Sequence, residues 1–253
     1  MTSFRPITLR FDSLPSTNTE AARQATNGAP EGLCIVAREQ TQGRGRQQRT
    51  WVSPMDAGLY FSIVLRPRLE IKAWPLITLM AALAVADALK EACALDVDIK
   101  WPNDILVGER KLCGILAETV ETQIGRAAIV GIGINLQESA VPPELHERAI
   151  AIESVTGTVP DGEAVLRALV RAIGCRYARL LADDGPQVTL RAWAEHSSYA
   201  TGKRVTVALG SETLTGITRG LEKDGALRVE TAAGEIKVVH AGDVTALRVT
   251  GNS

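Results

Sequence analysis

Little in this chain points to a metal, a membrane or a long-range charge. Its three histidines and four cysteines (Cys34, Cys93, Cys113 and Cys175) lie far apart and form no CxxC pair, so no zinc-ligand spacing exists. Cysteines scattered in this way are expected to be reduced thiols in a cytoplasmic protein. The N-terminal MTSFRPITLRFDS has no apolar core, so no secretory signal is expected. The longest uncharged apolar stretch, residues 73–86, is shorter than the roughly 20 residues that cross a bilayer and reads as a buried helix. A net charge of −1 excludes an overall basic field for nucleic acid, and aromatics are few at 4%. Any anion binding must therefore come from local clusters.

What remains is an ordinary globular composition. The chain has 253 residues, 45% hydrophobic and 23% charged, enough for one large domain or one plus a small one. Apolar, β-rich runs at 33–37, 59–65, 97–100, 112–117 and 127–134 predict strands. The last two are nearly all apolar, as in a sheet covered on both faces. Leu76, Leu79, Met80, Leu83 and Leu89 have helical spacing, as do Leu166, Leu169, Ile173, Tyr177 and Leu180, with Asp161 placed to cap the second helix. Thr17-Asn18-Thr19-Glu20 has capping-box form and opens a short helix. Gly174 and Cys175, inside a helix, read as packing residues. After residue 200, glycines recur between short Val, Leu and Thr runs, which reads as a small β-barrel or sandwich. The expected division is an α/β unit at 1–195 and an all-β unit at 196–253.

Four constellations carry chemistry, each beside a plainer reading. GRGRQQRTW, residues 43–51, concentrates three arginines on a glycine-bearing loop with no acid between Glu39 and Asp56. Glycines let backbone N–H groups approach a ligand, and guanidinium groups fork onto carboxylate or phosphate oxygens. A solvated loop or a nucleic-acid contact fits the same residues, and no Walker pattern is present. KWPNDILVGERKLCGILAE, residues 100–118, reads as a hairpin whose Lys111 opens a buried strand. Such a lysine needs an anionic partner or a path to water, and snorkelling at the strand end is the alternative. Ser16, Thr17 and Asn18 offer hydroxyls and an amide at a helix start, where capping alone accounts for at least one. GIGIN, residues 131–135, marks a strand end where backbone can approach a flat ligand or simply pack. No Ser-His-Asp set is found.

The order STN, EQTQGRGR, KWPNDI, RKLCGIL and GIGIN closely resembles the biotin protein ligases, from Ser16 to Asn135. ITRGLEKDGALRVE and HAGDVTALR resemble that family's C-terminal barrel. The resemblance implies an α/β (α+β) fold: a mixed sheet backed by helices, like class II aminoacyl-tRNA synthetases, with an SH3-like C-terminal domain. It implies a two-step reaction. Biotin and MgATP give biotinyl-5′-AMP and pyrophosphate, and a lysine of a biotin carboxyl carrier protein then attacks the adenylate.

The resemblance also implies roles. Ser16, Thr17, Asn18 and Gln40 match contacts to the biotin head, with Gly114, Leu116, Gly131 and Gly133 on the same side. Gly43, Arg44, Gly45 and Arg46 match the loop that holds the biotin carboxylate and the adenylate phosphate. Lys111 matches the catalytic lysine, beside Arg46. Arg49, Trp51, Asn103 and Asn135 match nucleotide contacts, and Arg248 a C-terminal arginine that reaches the ATP phosphates. Asp104 is placed to orient or deprotonate the incoming lysine, and Lys100 is a further basic residue. The implied substrates are biotin and ATP, with Mg2+ accompanying ATP and no metal site in the protein itself. The implied partner is the carrier protein of acetyl-CoA carboxylase or another biotin-dependent carboxylase. Neither DNA nor a membrane is implied, and the protein is expected as a monomer or weak homodimer.

Two features depart or decide. Gln48 stands where the family pattern GRGRxGRxW has glycine. Only fifteen residues precede Ser16, too few for the DNA-binding domain of ligases that double as repressors, so the monofunctional class is expected. The rivals are a lipoate or octanoate transferase of the same fold and, more remotely, a nucleic-acid-binding module. The octanoyl enzymes use a cysteine nucleophile and have no need of the GRGR loop.

Overall fold

A computed structural model describes residues 5–246. The first part of the chain forms β1 (Ile7–Leu14), α1 (Thr17–Thr26), β2 (Leu33–Gln40), β3 (Gly58–Leu65), α2 (Leu76–Cys93), β4 (Asp98–Lys100), β5 (Asp104–Val107), β6 (Arg110–Thr122) and β7 (Gly125–Asn135). Helices α3 (Ile152–Thr156), α4 (Gly162–Leu180) and α5 (Gly185–His196) follow. The chain continues as β8 (Thr201–Leu209), β9 (Glu212–Leu221), β10 (Leu227–Glu230), β11 (Ile236–Val239) and β12 (Asp243–Ala246). Seven strands make one mixed sheet, β1-β2-β3-β7-β6-β5-β4, in which only β1 and β2 run parallel. The last five make a separate antiparallel sheet, β11-β10-β9-β8-β12.

Strands β3 and β7 are apolar almost throughout because both faces of the large sheet are covered. Alternation sends Phe61, Ile63 and Leu65 towards α2 and α4, while Val64 and Ile129 meet Ala21 and Ala25 of α1 on the other face. Buried Trp101 donates its indole N–H to Gly225 O at 2.9 Å and so ties the β4–β5 turn to the small sheet. Among the described residues, no helix is long and apolar enough to cross a membrane.

The predicted strands and the two long helices are present, most of the strands extended by a few residues, and Asp161 does cap α4, accepting from Glu163 N at 2.9 Å. Two readings need correction. The cap of α1 is Ser16 rather than Thr17, and Glu20 pairs with Arg23 and Gln24 instead of reaching back to a cap. Thr17 is the first residue inside the helix, and its hydroxyl turns to Gln40 and Ser62 instead. Cys175 is exposed, on the solvent side of α4, so it is no packing residue. Finally, β1, β5, α3 and α5 were not foreseen: β1 is a largely exposed edge strand without a continuous apolar run, and β5 makes the expected single hairpin a three-stranded meander with β4 and β6.

Candidate active site

The sheet's register sets the site's floor on the α1 face. Ser62 of β3, Gly131 of β7 and Leu116 of β6 are direct neighbours across three strands. Tyr60, Gly133, Gly114 and Asp104 form the adjacent row. The glycines leave bare backbone on which other side chains rest. A Cβ on Gly131 would stand 2.0 Å from Asn18 Oδ1, and one on Gly133 would stand 2.5 Å from Trp51 Nε1.

The first turn of α1 borders this floor. Gln40 Oε1 accepts from Thr17 N at 2.8 Å and from Thr17 Oγ1 at 3.1 Å, while Gln40 Nε2 donates to Ser53 Oγ at 2.9 Å. Ser62 Oγ lies 2.6 Å from Asn18 Oδ1 and 2.8 Å from Thr17 Oγ1. Asn18 Nδ2 donates to Leu116 O at 3.2 Å and to Glu118 Oε2 at 2.8 Å. Ser16, Thr17, Asn18 and Ser62 are all buried, so this network is a built feature of the interior.

Above it, residues 43–51 fold back on themselves. Trp51 N donates to Gly43 O at 2.9 Å and Gly45 N to Arg49 O at 2.7 Å. At the tip, Gln47 and Gln48 take positive φ of 54° and 61°, a left-handed turn built without glycine. Each arginine has a partner: Arg44 Nη2 meets Glu118 Oε2 at 2.8 Å, Arg46 Nη1 meets Asn103 Oδ1 at 3.1 Å and Gly242 O at 3.3 Å, and Arg49 pairs with Asp243. The loop thus spans both sheets.

Asp104 is the carboxylate of the cationic centre. Lys111 Nζ lies 2.6 Å from its Oδ1 and Lys100 Nζ 2.9 Å from its Oδ2. Burial alone would push this carboxyl up, but Lys111 and Lys100 together outweigh it and hold the carboxyl below its ordinary value. Lys111 is held at the backbone by Arg148 O (2.8 Å), and its Nζ lies 5.3 Å from the Trp51 ring centre. The indole N–H of Trp51 is buried without a protein partner.

Two clefts meet here. The smaller, about 50 Å³, is lined by Ser16, Thr17, Asn18, Gln40, Leu116, Gly131 and their neighbours. The larger, about 580 Å³, is lined by Arg49, Asp104, Asn135, Val141, Leu145 and Ala149 among others. Gly45, Arg46, Trp51, Asn103 and Lys111 belong to both. Arg44, Gly114 and Gly133 line the smaller cleft. Gly43 and Lys100 line neither. Gly43 packs where a Cβ would stand 2.2 Å from Trp51 O, and Lys100 reaches the site only through Asp104. Asn135 is tied to Ile150 O at 3.1 Å, and Arg248 lies outside the described residues. Sequence reasoning missed Ser62, Glu118 and Asp243. A lone serine in the apolar run GLYFSIVL was a usable signal. The acids fell inside recognised motifs but had no spacing to mark their partners.

A basic, glycine-bearing loop thus lies over a glycine-floored cleft, with Lys111 where that cleft joins a larger one. Residues 10–135 match the Biotin/lipoate A/B protein ligase family, and residues 201–245 match the Biotin protein ligase C terminal domain. The bifunctional ligase/repressor BirA of Bacillus subtilis is 35% identical over 236 residues, 92% of this chain and 72% of that one. The biotin–[acetyl-CoA-carboxylase] ligase of Paracoccus denitrificans is 35% identical over 242 residues, 90% of this chain and 96% of that one. A solved structure of the biotin protein ligase of Aquifex aeolicus, in complex with biotin and ATP, superposes with a TM-score of 0.81 at 29% identity, covering 95% of this chain and 98% of that one. This chain belongs to the biotin protein ligase family.

Proposed function

We propose that this protein joins biotin to a lysine of a biotin carboxyl carrier protein at the expense of ATP. The carrying observation is that Arg46 and Lys111 stand where the two clefts meet. Biotin in the smaller cleft and ATP in the larger would bring a carboxylate against the α-phosphate, and Coulomb repulsion opposes that approach. Fixed cations offset the repulsion and stabilise charge gathered on the phosphate in the transition state. A carboxylate oxygen bonds to the α-phosphorus, the bond to the β-phosphate oxygen breaks, and pyrophosphate leaves. The adenylate is a mixed anhydride, so a loop that closes over it and excludes water protects it until the carrier arrives. The neutral amine of the carrier lysine then attacks the acyl carbon, AMP departs, and the amine nitrogen releases a proton to solvent as the amide forms.

In this reading Arg44, Arg46 and Lys111 bind the reacting oxygens, Trp51, Asn103 and Asn135 receive the nucleotide, and Ser16, Thr17, Asn18 and Gln40 the biotin head. Asp104 orients the incoming lysine rather than deprotonating it, because a carboxyl held below its ordinary value is a weak base. Catalysis resides in residues 1–195, with 196–253 steadying the loop. Mg2+ would arrive on the triphosphate. The carrier belongs to acetyl-CoA carboxylase or a related carboxylase. A net charge of −1 argues against a duplex DNA partner.

The lipoate or octanoate alternative is not favoured. Cys113, the thiol nearest the site, is fully buried, and burial pushes its pKa well up, away from a nucleophilic thiolate. The test is mass spectrometry after incubation with MgATP and biotin, lipoate or octanoate, followed by a carrier domain. Biotinyl-5′-AMP and a biotinylated carrier are expected; an acyl product from lipoate or octanoate alone overturns the reading.

A further inference from the structure

Glu118 of β6 has no part in the reaction just described, yet it holds two of the components that do. Its Oε2 accepts from Asn18 Nδ2 and from Arg44 Nη2, each at 2.8 Å. We propose that Glu118 is a positioning residue that sets the donor–acceptor polarity of the head pocket and ties that pocket to the basic loop. The inference rests on the reading of the smaller cleft as a biotin site.

Consider polarity first. A side-chain amide can turn either its oxygen or its NH2 to a ligand, and its surroundings decide which. An ionised carboxylate only accepts. Glu118 together with Leu116 O therefore draws Nδ2 of Asn18 to its own side. Oδ1 is left beside Ser62 Oγ at 2.6 Å and over the bare backbone of Gly131. A pocket that presents this oxygen favours a ligand with an N–H donor. The cyclic urea of biotin carries two such donors, whereas the dithiolane of lipoate carries none. A site built to bond a donor discriminates against an analogue that lacks it. Glu118 thus contributes to choosing the ring without touching it.

The second consequence is coupling. From Arg44 the contacts run through Glu118, Asn18, Ser62, Thr17, Gln40 and Ser53, whose Oγ donates to Trp51 O at 3.2 Å. The chain of bonds begins and ends on the basic loop. A ligand that engages Asn18 therefore bears on both ends of that loop.

Glu118→Ala and Glu118→Gln test this through pyrophosphate release, with KM measured separately for biotin and ATP, and through tryptic cutting of the loop. Glu118→Ala is expected to raise the biotin KM about 10-fold or more while the ATP KM stays within about threefold. It should also narrow the preference for biotin over lipoate and abolish biotin's protection of the loop. Glu118→Gln keeps an acceptor but loses the charge, so it should restore the biotin KM without restoring protection. Should the alanine variant fail to fold, loss of protection in the near-isosteric glutamine variant at an unchanged melting temperature still supports the role. An unchanged biotin KM and preference in Glu118→Ala, or equal rises in both KM values, overturns it. Absence of biotin-dependent pyrophosphate release in the unaltered enzyme would instead overturn the reading of the site.

Discussion

Lys111 Nζ stands 2.6 Å from Asp104 Oδ1, at the junction of the two clefts. The pair resolves the question a lysine at the start of a buried strand raises: its charge has a fixed partner. Because Lys100 also holds Asp104, the carboxylate is shared, and Lys111 can turn to an incoming anion without leaving Asp104 unpaired.

Lys111→Ala is expected to abolish adenylate formation with the fold retained. Removing one preorganised donor to developing charge costs about 3–4 kcal/mol, or roughly 10²–10³ in rate. Pyrophosphate release measures the loss and circular dichroism the fold. A rate within about threefold of the parent would remove Lys111 from the chemistry.

Asp104 predicts a pH dependence of stability. Its folded-state pKa lies below the ordinary value of 3.8, so the stabilisation is fully present above that value and is lost as pH falls through the folded value. The gap in denaturation midpoint between the parent and Asp104→Asn should therefore be widest near neutrality and shrink below about pH 4. A gap that does not change with pH would show that the two lysines do not set this carboxyl.

Gln48 at φ 61° adopts a backbone conformation that glycine takes without a Cβ penalty. Gln48→Gly should keep activity and stabilise the protein by about 1 kcal/mol, visible as a small rise in melting temperature. A fall in melting temperature would show that the glutamine makes contacts worth more than the strain.

The loop's grip on the small sheet is open to proteolysis. Arg44, Arg46 and Arg49 are tryptic sites, and Arg49 is held by Asp243. Biotin with ATP should suppress cutting there far more than ATP alone, and Asp243→Ala should speed cutting of the free enzyme. Equal rates with and without the ligands would show that the loop does not close over them.

Much of the lining of the candidate site was legible because its residue types are rare in combination. Arginines alternating with glycines, a lysine opening a buried strand and glycines at alternate positions of a strand each carry a local physical signature, and their order carried the family. Ser62 and Glu118 had no such signature. A single serine in an apolar strand and a glutamate among strand residues look the same whether they face solvent, a helix or a ligand.

The sequence by itself determined the mixed α/β architecture, the change to short glycine-punctuated strands after residue 200, and the loop and lysine that carry positive charge, because periodicity and residue type are local properties. Only the tertiary structure decided which acids those cations face and which side chains share the cleft floor. The register of β3, β7 and β6 puts Ser62, Gly131 and Leu116 in one row, and the packing of α1 sets Asn18 over it. The same packing brings Arg44 to Glu118, and the docking of the small sheet brings Arg49 to Asp243. Pairings between residues so distant in the chain depend on the closing of the whole sheet, and no short stretch of sequence records them.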